Sequence, residues 1–387
     1  HSPKNMSSFA SSKKKKLKKL APVISCHSFN WDRSMCAICP NSNKVRIYSG
    51  CHDPDVSKWE LAYDLSSEHT MLVSGIDWSP VSNKIVTCSH DRNAFVWTYN
   101  DDTAVWEPSL VILRINRAAL DVKWSPDGKK FAVASGSKAV PICHYEEDNN
   151  WWISKMIKKH KSTVLSVDWH PNSQLVATGC CDFKCRVFSA FVSGLDQADD
   201  NTLFGDLSDT FGELLAEFDQ SHGWVCSVAW SQSGQKLAFA GHDASLSMVH
   251  FAEDPDEQPT VQTIHTRSLP LTKVMFSSEE VLIGVGHEMN PTEFVMDGSN
   301  IWGVGRKLDT LTSSTEKKST ASGFSAARSM FGSRGGSNSK DSKRSKSQCL
   351  TKHTGCITDM NSLSEPGSTI SKFATSGVDG QLLYWDM

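Results

Sequence analysis

Histidine and aspartate together are the usual materials of proton transfer, and this chain spaces them with unusual regularity. Four histidines are each followed by an aspartate and, six residues later, by a further apolar residue: His69–Asp91–Trp97, His160–Asp182–Phe188, His222–Asp243–Val249 and His353–Asp379–Trp385. The His-to-Asp separations are 22, 22, 21 and 26 residues. One catalytic dyad is needed once, whereas four copies at one spacing mark a reused structural unit. The pairs therefore read as scaffold, with no catalytic residue among them.

Such residues must be held by short, repeating elements. Trp78, Trp124, Trp169, Trp230 and Phe276 sit in the runs GIDWSP, DVKWSP, SVDWHP, SVAWSQ and KVMFSS, with successive separations of 46, 45, 61 and 46. Phe29 opens a unit before them, and Asp359-Met360-Asn361 marks one after. A period near 45 residues is that of a four-stranded propeller blade. Within a unit, runs rich in Val, Ile, Trp and Tyr alternate with Ser-Pro, Ser-Asn and Asp-Arg-Asn turns, the grammar of short antiparallel strands. Thr87, Thr178 and Thr375 each stand four residues before the unit's Asp. A buried chain of Asp, His, hydroxyl and indole is expected, with Phe239 replacing the hydroxyl in one unit and Lys138 taking the place of the Asp in another.

The expected fold is all-β: a seven-bladed WD-repeat propeller. This resembles the WD-repeat family, although only Trp385-Asp386 keeps the namesake dipeptide and no His follows a Gly. The chain divides into a disordered lysine-rich tail, 1–20, and a single propeller, 21–387. The final strand, Leu382 to Trp385, leaves one blade short. The apolar Pro22–Cys26 segment is expected to supply the missing strand, since a closed ring exposes no sheet edge.

Composition narrows the function. A formal charge of −3 and a hydrophobic content of 39% suit a large packed core without global attraction to nucleic acid. No apolar run approaches the length of a membrane span and no secretory leader is apparent, so a soluble, cytoplasmic protein is expected, with no membrane partner. His1 in place of Met suggests an incomplete or altered beginning, with Met6 as an alternative start. The twelve cysteines lie mostly in strand-like segments and read as small core residues. Cys36 and Cys39 have half a zinc-site spacing, but no second pair matches, so neither a metal nor a cofactor is expected.

Three stretches depart from the repeat. Lys13 to Lys19 holds six lysines, an import or acidic-partner signal on one reading and a solvated tail on the other, which leaves a nuclear fraction open. An acidic insertion, 191–219, carries eight acidic residues and no basic one; it reads as a solvated linker or, through Phe211–Leu215, as a cap on a blade. A basic Ser-rich insertion, 309–349, reads as disordered around an apolar island. In that island Phe324, Ala327 and Phe331 share one helical face, with Arg328 and Met330 alongside. A short helix is marginal alone, so it either orders in a partner's groove or packs back on its own propeller.

Several blocks resemble one family closely. Arg114-Ile115-Asn116-Arg117-Ala118-Ala119, Ser82–Cys88, Trp151-Trp152, Ser162–Asn172 and Cys181–Ala190 are similar to the WD-repeat subunit, subunit 1, of the actin-related protein 2/3 complex. The resemblance spans about Ile24 to Trp385. It implies a non-catalytic scaffold at the actin cytoskeleton, in the cell cortex and leading edge. Implied partners are the other subunits, the actin filament and the acidic tails of nucleation-promoting factors. Phe324, Ala327, Arg328, Met330 and Phe331 are the implied contact residues, from the family's short helix in the insertion before the last blade. A rival expectation, a substrate receptor of a ubiquitin ligase, requires an adaptor-binding motif outside the blades or an Arg following Trp-Asp at a strand end. Trp31-Asp32-Arg33 offers the latter only superficially, since it lies in the first strand or turn of its unit.

Overall fold

The computed structural model describes residues 19–66, 68–197, 203–208, 210–252, 257–309, 351–365 and 367–387. Among the described residues, twenty-seven strands form seven antiparallel sheets whose strand order follows the sequence, six sheets of four strands and a last one of three. The innermost strands are Cys26–Phe29, Val73–Trp78, Ala119–Trp124, Val164–Trp169, Val225–Trp230, Leu271–Ser278 and Ile357–Ser362. Each packs on the innermost strand of the next blade, and Ile357–Ser362 returns to Cys26–Phe29, so the sheets close into a seven-bladed ring. The only helical segment among the described residues is a 3₁₀ turn, Val56–Lys58.

The strands form because their apolar residues alternate into the gaps between blades. Trp78, Trp124, Trp169, Trp230 and Phe276 are all buried, each packed with apolar residues of a neighbouring sheet. The turn between second and third strands contains a left-handed residue in every blade: Asn41, Arg92, Lys138, Phe183, Ala244, Met289 and Gly380. Only the last is a glycine, so the other blades accept a side chain at a conformation that costs on the order of 1 kcal/mol.

An inner strand is also a sheet edge, and its outward N–H groups need acceptors. The preceding blade supplies them from side chains. Ser28 Oγ accepts from Trp78 N at 3.0 Å, Asp77 from Trp124 N at 2.7 Å, Asp168 from Trp230 N at 2.8 Å and Ser227 from Val274 N at 3.1 Å. Hydroxyls of Ser25, Ser74 and Thr272 donate in turn to carbonyls of the next inner strand, and Thr358 donates to Ile24 O in the lead-in to the first. The Asp that precedes Trp in GIDW and SVDW is thus a seam residue.

Closure differs from the sequence expectation. Residues 22–25 form no strand, and among the described residues the seventh sheet holds only its three strands. Ile24 N donates to Gly377 O at 3.1 Å, so the lead-in crosses the end of the second strand instead of running beside Leu382–Asp386. Pro22 has no N–H to give a ladder, and a Cβ at Gly380 would collide with the Ala21 carbonyl, which fixes that crossing. The ring is instead fastened by side chains at the seam. Asp359 accepts from His27 N at 2.9 Å, Asn361 donates to His27 O at 2.7 Å, and Tyr384 donates to Cys51 O at 2.6 Å.

The acidic insertion is not a solvated linker throughout. Leu214–Phe218 is the outer strand of the fourth blade, and Phe191 and Leu207 are buried. Lys130, fully buried, bonds Asp196 and donates to Ala190 O at 3.1 Å, pinning the start of the insertion beneath the third blade.

Candidate functional site

Two blades complete the expected chain of side chains. In the second, His69 Nδ1 is 2.9 Å from Asp91 and Nε2 is 2.8 Å from Thr87 Oγ1, which accepts from Trp97 Nε1 at 3.0 Å. In the seventh, His353 lies 3.0 Å from Asp379 and 2.8 Å from Thr375, which accepts from Trp385 at 2.7 Å. Both histidine rings are buried. Burial works against the Asp379 charge, but His353 and the Thr354 N–H hold its carboxyl down at about 2. These groups brace; they are not poised to exchange protons with a ligand.

The other two pairs do not assemble as expected. In the fourth blade His160 meets Thr178 at 2.9 Å, but Asp182 is taken by the buried Arg186 guanidinium, at 2.9 and 3.1 Å. Arg186 also reaches Glu217 at 2.7 Å, a two-carboxylate demand that outcompetes a neutral imidazole. His160 Nδ1 is left unbonded, and burial with the nearby Arg186 charge pushes the ring down to about 4. In the fifth blade the His222 side chain is exposed, and only its backbone N–H donates to Asp243, at 2.8 Å. Phe239 and Val249 offer that ring no hydroxyl and no indole. In the third blade the stand-in for the Asp is Ser137, whose Oγ accepts from Asn116 N and Arg117 N at 3.0 and 2.9 Å; Lys138 is the exposed residue after it.

Charged side chains from several blades meet at the wheel's axle. A cavity of about 500 Å³ opens on the face formed by turns between first and second strands, lined by Asp77, Lys123, Asp168, Lys273 and Asp359 among others. Lys273 on the sixth blade spans it to Asp121 on the third, 3.3 Å from both carboxylate oxygens, and Lys123 approaches Asp77 at 3.4 Å. Burial would raise Asp359, but His27, Lys273 and Lys123 draw it to about 2; Asp168, more strongly governed by burial, rises to about 6. The turn after the seventh inner strand covers part of the mouth: Ser364 O accepts from Arg33 at 2.9 Å and Ile370 N donates to Ser277 O at 2.8 Å. Among the described residues no three His, Cys, Asp or Glu side chains converge in a way that would hold a metal. No helix is long and apolar enough to cross a membrane. Eleven described cysteines are free thiols, and most are buried.

Phe324, Ala327, Arg328, Met330 and Phe331 lie outside the described residues, as does the lysine tract from Lys13 to Lys18. The roots of the basic insertion are described. Asp309 N donates to Asn290 at 2.9 Å, Asn290 returns a bond to Asp309 O at 3.2 Å, and Asp309 in turn accepts from Lys352 N. A closed clasp therefore joins the two ends of the insertion beside the sixth blade, and sequence spacing gave no sign of it.

A seven-bladed ring with His–Asp–hydroxyl–Trp braces is a WD-repeat propeller, and the model for the WD domain, G-beta repeat, matches residues 63–98, 151–189 and 212–248. More specific is the similarity to actin-related protein 2/3 complex subunit 1A of Arabidopsis thaliana, 45% identical over 95% of both chains. Subunit 1A-A of Xenopus laevis is 41% identical over 95% of both, and subunit 1 of Schizosaccharomyces pombe 35% identical over 93% of this chain and 96% of its own. The chain belongs to the family of actin-related protein 2/3 complex subunit 1.

Proposed function

We propose that this chain is the propeller subunit of an actin-related protein 2/3 complex, a non-catalytic scaffold that supports nucleation of branched actin filaments. The observation that carries the reading is identity of 35–45% to subunits of that name along nearly the whole chain. The geometry supports a scaffold: His69, His160 and His353 are buried among their own blades, leaving loops and insertions for partners. Its location is the cytoplasmic actin cytoskeleton.

The basic insertion is the second part of the proposal. Its island, Phe324 to Phe331, engages the actin filament or the acidic tail of a nucleation-promoting factor, tethered close by through the Asp309–Lys352 clasp. The test is branch formation by the assembled complex carrying Phe324→Ala with Phe331→Ala. Slower branching with normal assembly supports it; unchanged kinetics reject the island as a contact.

A further inference from the structure

The formal charge of −3 conceals a strong polarity. Strand order places the fourth-to-first and second-to-third connections on one face, and the remaining turns on the other. Over the described residues, the first face, with the lead-in from Lys19, holds twelve Lys or Arg against eight Asp or Glu; the opposite face holds three against sixteen.

On the basic face the carboxylates are largely committed. Asp91, Asp182, Asp243, Glu288 and Asp379 each accept a backbone N–H of the adjoining loop, and Asp309 closes the clasp. Seven of the cations are not. Arg92, Arg114, Arg117 and Lys138 stand on the second and third blades, and Lys158, Lys159 and Lys161 lead into the fourth. All seven are exposed, and none of their side chains has an ion-pair partner among the described residues. The turns are contiguous: Ser137 bonds the Asn116–Arg117 backbone, and Cys181 N donates to Thr163 O. Arg92, Arg114 and Lys138 occupy left-handed positions, where glycine would be less strained. Between the cations stand apolar tips, Met71 at 53%, Ile112 at 61% and Phe183 at 44% exposure.

We propose that this arc of blades two to four is a docking face for an anionic lipid bilayer. Cations spread over the tips of successive loops match a plane of headgroups better than the groove an acidic peptide requires. Each Lys or Arg at such a surface contributes about 1 kcal/mol, and the apolar tips enter the interface. The acidic face is repelled from the same surface, which fixes the orientation of the wheel. Both basic segments that depart from the repeat join the ring on this face: the lysine tract precedes the first inner strand, and the insertion leaves at Asp309 and returns at Thr351. The absence of a spanning segment in the sequence does not bear on such peripheral attachment.

The test is flotation of the full chain with phosphatidylcholine vesicles, with and without phosphatidylserine. Binding is expected only with phosphatidylserine, falling at least about tenfold in Arg114→Glu with Lys159→Glu and on adding salt. Phe183→Ser is expected to weaken vesicle binding while leaving capture on immobilised polyglutamate unchanged. Unchanged thermal midpoints in both variants confirm folding. Three results overturn the proposal: no flotation, equal flotation of the charge-reversed variant, or capture by polyglutamate or actin filaments without flotation.

Discussion

Lys273 Nζ crosses the axis of the ring to lie 3.3 Å from each oxygen of Asp121, three blades away. Burial opposes the Lys273 charge, yet Asp121 and Asp359 raise its pKa above the ordinary lysine value. Removing one partner of such a pair leaves the other uncompensated, and removing both can be nearly neutral. Lys273→Met is therefore expected to destabilise the chain by about 3 kcal/mol, with Asp121→Asn in the same chain restoring most of it. Urea unfolding of the two single variants and the double variant measures the coupling.

The braces differ in what one hydroxyl holds. Thr87 and Thr375 each serve an imidazole and an indole, whereas Thr178 serves His160 and a long bond to Arg186 O at 3.4 Å, Phe188 standing where the indole would be. Thr87→Val or Thr375→Val orphans two buried donors or acceptors, a loss of about 2–4 kcal/mol. Thr178→Val is expected to cost about half as much. Equal thermal shifts for all three would contradict the assignment.

His160 gives a pH dependence with a definite sign. Its folded value of about 4 lies below the unfolded value near 6.5, so the unfolded chain binds the proton first. Stability is complete above pH about 6.5 and falls as pH drops toward 4, by up to about 3 kcal/mol. His160→Phe is expected to flatten the part of the urea midpoint that changes between those values. A slope unaltered by the substitution would show that other groups set it.

Ring closure makes its own prediction. Asp359 receives the His27 N–H across the junction of last and first blades, where no continuous sheet spans the join among the described residues. Asp359→Ala is expected to cost about 3 kcal/mol and to raise amide exchange at His27 ahead of exchange at Val167 on the far side of the ring. Uniform exchange across the ring would mean that the seam is not the weak point.

Much of the wheel was legible in the residues. The aromatic recurrence from Trp78 to Phe276 marks inner strands because each aromatic fills the same gap between sheets, and His69 and His353 have every partner their spacing promised. Spacing failed where a rival side chain intervened. Arg186 looks like an ordinary strand residue until Glu217, 31 positions later, is folded beside it. Lys130 and Asp196, 66 residues apart, likewise meet only through the ring. Net charge concealed the polarity of the faces because it adds loops that topology separates. The seam role of Asp77 and Asp168 was present in GIDW and SVDW, but it requires knowing that the next inner strand has unpaired N–H groups.

The most direct measurement is affinity purification of the tagged full chain from native lysate at low salt, read by mass spectrometry. The account predicts near-equimolar recovery of two actin-related proteins with the remaining small subunits, and no cullin adaptor. Recovery of a cullin adaptor in place of the actin-related proteins, or of the chain alone, would contradict it.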